Sequence, residues 1–147
     1  MPDLFTIGYE GADVERFLTA LKDAGVGVLA DVRAVALSRK RGFSKNALRE
    51  ALERNDLGYR HFIELGTPKS GRQAARAGDA ATMTRIYCDE VLAGEPATAA
   101  LDALADLAAS RPVCLLCFER DPALCHRRLL AERLESRGFR TVDLFVP

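Results

Sequence analysis

Val113-Cys114-Leu115-Leu116-Cys117-Phe118 is the stretch whose reading decides the fold. The run is too short for a buried helix, and it is bounded by Pro112 on one side and Glu119-Arg120-Asp121-Pro122 on the other, so it reads as a strand covered on both faces. By the two-residue period, Val113, Leu115, Cys117 and Glu119 point one way, and Cys114, Leu116 and Phe118 the other. Immediately downstream, Asp121 is a helix N-cap and Pro122 the first helical residue, with Leu130 and Leu134 on the inner face of a helix that ends at Gly138. Cys125 then falls in the first helical turn, where free amides and the helix dipole favour a thiolate. Adjacent residues on a helix diverge, so only some of Cys125, His126 and Arg127 are expected to face one pocket.

The same grammar recurs upstream. Leu4-Phe5-Thr6-Ile7 is a buried strand that runs into the loop Gly8-Tyr9-Glu10-Gly11. Asp13 caps a helix with Val14, Phe17, Leu18, Leu21 and Ala24 on one face, and Gly25 ends it. Val26 to Val32 is a second strand that delivers Asp31 and Arg33 at its end. Strand, helix and strand with short connections make a βαβ unit with parallel pairing. Residues 34 to 43 read as a loop, Ser44 as the cap of a helix carrying Leu48, Ala51 and Leu52, and 57 to 62 as a short third strand. Residues 66 to 78, with Gly66, Pro68, Gly71, Gly78 and the basic Lys69, Arg72 and Arg76, read as a mobile loop of the kind that closes over ligands. Asp79 starts a helix through Met83, Ile86, Tyr87 and Val91. Gly94-Glu95-Pro96 breaks it before an Ala-rich helix, and Thr141 to Val146 is the last strand. The expectation is a single domain, 1–147, with a three-layer α/β/α architecture around a mainly parallel sheet. In such sheets ligands sit beyond the carboxyl ends of the strands.

Composition narrows the class. At 147 residues, 48% of them hydrophobic and 29% charged, the chain suits one globular core rather than disorder. No apolar run is long enough to span a membrane and Met1-Pro2-Asp3 does not open a signal peptide, so a cytoplasmic location with no membrane partner is expected. In that compartment the four cysteines stay reduced, and Cys88 and Cys114 read as core filler. Lys plus Arg equals Asp plus Glu, 21 each, so no general attraction to nucleic acid exists; yet Arg33, Arg39, Lys40, Arg41, Lys45 and Arg49 lie in a segment without an acid. That asymmetry fits a local anion site.

Thr6-Ile7-Gly8-Tyr9-Glu10, Asp31-Val32-Arg33, Ser38-Arg39 with Phe43-Ser44-Lys45, Leu65-Gly66, and above all Cys117-Phe118-Glu119-Arg120-Asp121-Pro122-Ala123-Leu124-Cys125-His126-Arg127 resemble the bacterial and archaeal domain of unknown function 488 family over nearly the whole chain. The family brings no agreed activity with it. Ala36 stands where its members usually have proline, which is expected to loosen that loop.

The residues themselves suggest three functional classes. The first is an enzyme on a phosphate-bearing or other small anionic substrate, with Cys125 as nucleophile, Glu119 as acid/base and Tyr9 at the reacting edge. Arg33, Arg39, Arg127, His126 and Glu10 then line the substrate. The chain has no H-C-x5-R phosphatase loop, no P-loop and no dinucleotide glycine motif, so no established reaction template applies. The second class is a nucleic-acid-binding or repair-associated module that uses the basic segments 33–49 and 66–78. The third is a zinc or iron site at Cys117, Cys125 and His126. The ligand types suit it, but the C-x7-C-H spacing matches no closed zinc pattern, so the expectation is a site without metal.

Overall fold

A computed structural model describes residues 2–147. Strands β1 (Asp3–Gly8), β2 (Val28–Asp31), β3 (Gly58–His61), β4 (Val113–Cys117) and β5 (Arg140–Leu144) form one all-parallel sheet in the order β3-β2-β4-β1-β5. The helices are α1 (Val14–Asp23), α2 (Lys45–Glu53), α3 (Lys69–Arg76), α4 (Ala80–Tyr87), α5 (Glu95–Ser110) and α6 (Arg127–Glu135). The alternation in β4 divides the core as expected. Val113 and Leu115 pack with Leu101 and Leu104 of α5 and Leu130 and Leu134 of α6. Cys114 and Leu116 pack with Phe17 and Leu21 of α1 and Leu48 and Leu52 of α2. The sheet is therefore sandwiched between two helical layers. No helix among the described residues is long and apolar enough to cross a membrane.

β4 is the hub. It pairs with β1 so that Gly8 lies opposite Cys117, and with β2 so that Asp31 lies opposite Leu116. The βαβ reading needs correction here: β1 and β2 run parallel, but β4 is inserted between them. Chain order could not reveal this, because a strand made late joins wherever its two apolar faces are best covered. β1 and β2 lead out to helices on one face and β4 to α6 on the other, which opens a crevice between their carboxyl ends.

Several local readings hold. The Asp13 carboxylate accepts from Arg16 N (2.8 Å) and Gly25 ends α1 at φ 78°. Asp79 likewise caps α4 at Thr82 N (3.1 Å). Others are revised. Residues 66–78 are not a free loop, since α3 occupies most of them. The reason is that Gly66 and Gly71 are packing glycines: a Cβ at Gly66 would overlap the Ala34 backbone, and one at Gly71 would overlap the Thr67 methyl. Ser44 precedes α2 but does not cap it. Its hydroxyl accepts from Ser38 N (3.0 Å) and donates to Ser38 O (3.2 Å), pinning the basic loop shut. Pro122 opens a short 3₁₀ turn, Pro122–Leu124, rather than α6. Cys125 follows it in an extended conformation, and the helix begins only at Arg127.

Gly8 is the tightest point of the fold, since a Cβ there would overlap the Glu119 carbonyl. Gly8→Ala is expected to cost about 3 kcal/mol in urea unfolding, because both partners in the clash are backbone. Gly27→Ala, whose Cβ would meet nothing nearer than 3.5 Å, is expected to stay within about 1 kcal/mol of the parent. Equal losses would show that the close approach at Gly8 does not govern stability.

Candidate active site

The carboxyl ends of β1, β2 and β4 open into a cleft of about 780 Å³. Tyr9 enters from β1, the segment from Arg33 to Lys40 from β2, Cys117 to Glu119 from β4, and Thr67, Arg72 and Arg76 from the α3 side. Its cations are Arg33, Arg39, Lys40, Arg72 and Arg76, and its one carboxylate is Glu119.

Arg33 is buried and its charge is already met. Its Nε and Nη2 donate to the two carboxylate oxygens of fully buried Asp31 (2.8 and 2.7 Å), while Nη1 donates to Phe43 O (2.7 Å) and to Tyr9 Oη (3.4 Å). The carboxylate raises the Arg33 pKa against the opposing effect of burial. Tyr59 also donates to Asp31, which, together with burial, pushes its own hydroxyl well up. Asp31 thus organises the end of β2. Tyr9 is 4% exposed and stacks on Phe43 with ring centroids 4.6 Å apart, so its hydroxyl reaches the cleft edge from a ring that belongs to the core.

Arg39 is exposed on the pinned loop, and among the described residues neither it nor Lys40, Arg72 or Arg76 joins an ion pair. Arg72 donates to Thr67 O (2.8 Å). The Thr67 hydroxyl is buried without a hydrogen-bond partner at the cleft wall. Such a group favours a ligand that brings its own donor or acceptor.

At the end of β4 the sulfurs of Cys117 and Cys125 are joined as a disulfide, with the Cα atoms 7.2 Å apart. The pairing departs from the expectation of four reduced thiols, and Cys117 is the member of the pair that lines the cleft. Both cysteines are 1% exposed, and Cys125 is not part of the cleft lining. Cys114 is fully buried, and burial pushes its thiol far up; Cys88 is free and half-buried. Because Cys125 is extended rather than helical, Cys125 and His126 converge instead of diverging, with His126 Nδ1 3.8 Å from Cys125 Sγ.

The His126 tautomer follows from its partner. Nε2 lies 2.7 Å from Val32 O, which can only accept, so Nε2 carries the hydrogen and Nδ1 keeps a lone pair toward the sulfurs. Burial lowers the ring's pKa to about 4, and the nearby Arg127 pushes in the same direction. Tyr87 packs against the ring at 5.0 Å and donates to Leu65 O (2.7 Å). His61 is occupied elsewhere, with Nε2 bonded to Arg33 O (2.7 Å).

Arg127 and Glu10, expected as ligand contacts, do not line the cleft. Glu10 is exposed and accepts from Arg120 N (3.0 Å). Arg127 is wholly buried: Nη1 donates to Cys117 Sγ (3.0 Å) and to the Glu119 carbonyl, Nη2 to the Arg120 carbonyl (3.1 Å), and its backbone N–H to Cys125 Sγ (3.4 Å). It fixes the shape of the loop and the position of both sulfurs. Glu119 Oε2 lies 3.7 Å from Cys117 Sγ, and burial raises the Glu119 carboxyl pKa.

The family described as Domain of unknown function DUF488 matches residues 13–134. The chain belongs to that family. No curated protein and no solved structure matches it. In this DUF488 domain the quoted motifs are the cleft and its supports: Gly8 makes room for the Glu119 carbonyl, Asp31 and Arg33 close the end of β2, Ser38 and Ser44 pin the loop, and Gly66 admits Ala34. Sequence reasoning missed Thr67, and it named Cys117 as a candidate metal ligand rather than as a residue of an anion cleft. The signal for Cys117 was its place at the end of a buried strand beside the equally terminal Gly8.

His126 supplies a pH test. Its folded pKa lies below the ordinary 6.5, so the unfolded chain takes up the proton first; stability is complete above about pH 6.5 and falls as pH drops toward 4. In chelator-treated protein this group is expected to contribute a loss on the order of 3 kcal/mol across that window. His126→Gln, which keeps a donor for Val32 O, is expected to flatten the slope by that amount. An unchanged slope would place the imidazole outside the acid transition.

Proposed function

We propose that this DUF488 domain is an enzyme acting on a small phosphate-bearing or otherwise anionic substrate, bound in the cleft beyond the carboxyl ends of β1, β2 and β4. The observation that carries the reading is the convergence of unpaired cations from two separate segments, Arg39 and Lys40 on one side and Arg72 and Arg76 on the other, around the single carboxylate of Glu119. Guanidinium groups so placed hold phosphate or carboxylate through charge-assisted hydrogen bonds, and the unpartnered Thr67 hydroxyl offers one more. Glu119, with its carboxyl raised by burial, holds a proton more readily than an exposed carboxylate, which suits an acid/base role. Cys117, Cys125 and His126 form the adjoining reacting centre. The nucleophile role read for Cys125 fits less well, because Cys125 does not line the cleft. Tyr9 and Arg33 set the wall, and Arg127 positions the centre from behind.

A second reading has support from the same convergence: segments 33–49 and 66–78 meet at one cleft, as a phosphate-binding nucleic-acid module would require. The concave shape favours a free small molecule.

Calorimetric titration with inorganic phosphate, a nucleoside monophosphate and a single-stranded oligonucleotide separates these readings. Saturable binding of the small anions is expected, weakened roughly tenfold to hundredfold in Arg39→Ala and in Arg76→Ala. Small-anion affinity indifferent to all four cations would sink the substrate reading. Binding confined to the oligonucleotide, with a steep salt dependence, would replace it by the nucleic-acid one.

A further inference from the structure

Cys117 Sγ, Cys125 Sγ and a nitrogen of His126 lie within 4.8 Å of one another, and all three residues are buried. We infer that the reduced cysteine pair and His126 form a three-ligand site for a zinc-class divalent metal, whose fourth position opens to the cleft beside Glu119.

The donor set is prepared for this. His126 gives its Nε2 hydrogen to Val32 O, leaving Nδ1 as the free donor on the sulfur side. A ligating histidine is typically oriented in this way through its other nitrogen. Both sulfurs receive N–H donors from Arg127, Cys117 through the guanidinium and Cys125 through the backbone. Such donors suit thiolates, which carry charge, better than cystine sulfurs, which carry none. The Cα separation of 7.2 Å lies beyond the usual range for a disulfide, about 4.4 to 6.8 Å. A metal holding each sulfur at about 2.3 Å spans it naturally.

Charge balances as well. Two thiolates and a divalent ion sum to zero, so the ligand set adds no net charge to the buried site. The absence of a closed zinc spacing in C-x7-C-H is then no objection, since two thiolates and one imidazole with a vacant position is a pattern of catalytic rather than structural zinc. Cys117, His126 and Glu119 all line the cleft, so the fourth position faces the proposed substrate, and Glu119 stands where it can take a proton from water held there.

Loading begins from the disulfide. A dithiol reductant opens it by two-electron exchange, leaving two protein thiols and the reductant's own disulfide; metal binding then releases one proton from each thiol. The openness of the fourth position rests on the reading of the cleft as a substrate site, whereas the ligand set does not.

The test uses the full chain, reduced with a phosphine, freed of metal by a chelator and titrated with cobalt(II). One equivalent is expected to bind, with a thiolate-to-cobalt charge-transfer band and the intense visible bands of a four-coordinate ion. His126→Gln, which preserves the bond to Val32, is expected to weaken binding by at least about a hundredfold, and Cys117→Ala to reduce the charge-transfer band by at least about half, one of two thiolates being lost. Inorganic phosphate is expected to shift the visible bands of the loaded wild-type protein. No cobalt binding, or binding without a charge-transfer band, in the wild-type protein overturns the metal site whatever the variants do. The phosphate affinity of the metal-free protein, measured by calorimetry, decides the cleft reading separately. Cobalt bands that phosphate leaves untouched overturn the open position.

Discussion

A buried guanidinium organises this end of the molecule. Arg127 is fully enclosed, and among the described residues no carboxylate pairs with it; it donates instead to the Cys117 sulfur and to two consecutive backbone carbonyls, Glu119 and Arg120. Burial pulls its pKa down, as expected for a cation removed from water. A desolvated charge of this kind costs several kcal/mol unless an anion or strong dipoles meet it. The carbonyls supply the dipoles, and the Cys117 sulfur accepts a further bond. The same contacts tie the first residue of α6 to the end of β4, so the loop that carries Glu119 has one shape.

That shape depends on neighbours in the sheet. The Glu119 carbonyl reaches Arg127 by lying over Gly8, where no Cβ can fit, and Gly8 is opposite Cys117 because β1 and β4 pair in that register. On the other side of β4, β2 brings Val32, whose carbonyl orients His126, and Asp31, which takes up the charge of Arg33. The two arginines nearest the strand ends are thereby consumed in building the site. The charge that faces the cleft comes instead from Arg39, Lys40, Arg72 and Arg76 on the flanking segments. A cation-rich cleft and a cluster of two sulfurs and an imidazole thus sit side by side at the topological switch point of the sheet.

Much of this was legible in the chain. Apolar runs marked β1, β2 and β4, the spacing of Phe17, Leu18 and Leu21 gave α1, and Asp13 and Asp79 marked real caps. The dense segment from Cys117 to Arg127 stood out in the chain, and Cys117, Glu119 and His126 of it line the cleft. Sheet order was not, because insertion of β4 between β1 and β2 is a tertiary choice with no local signature. Gly66 and Gly71 misled for a physical reason: glycine serves a turn or a close approach, and only the packed structure shows which. Asp121-Pro122 also carried an ambiguous signal, since the same pair starts an α-helix or a single 3₁₀ turn, and that difference decides whether Cys125 and His126 diverge or converge. Composition alone could not distinguish Arg127, which is buried, from Arg39, which is exposed, although both stand beside the cleft residues in sequence.

The central claim is that the buried Arg127 guanidinium, bonded to the Cys117 sulfur and to the Glu119 and Arg120 carbonyls, holds the end of β4 against the start of α6. Urea unfolding of Arg127→Met beside the wild-type chain tests it directly. A loss of at least about 2 kcal/mol is expected, because both carbonyls are left without a donor. A variant as stable as the wild type would contradict it.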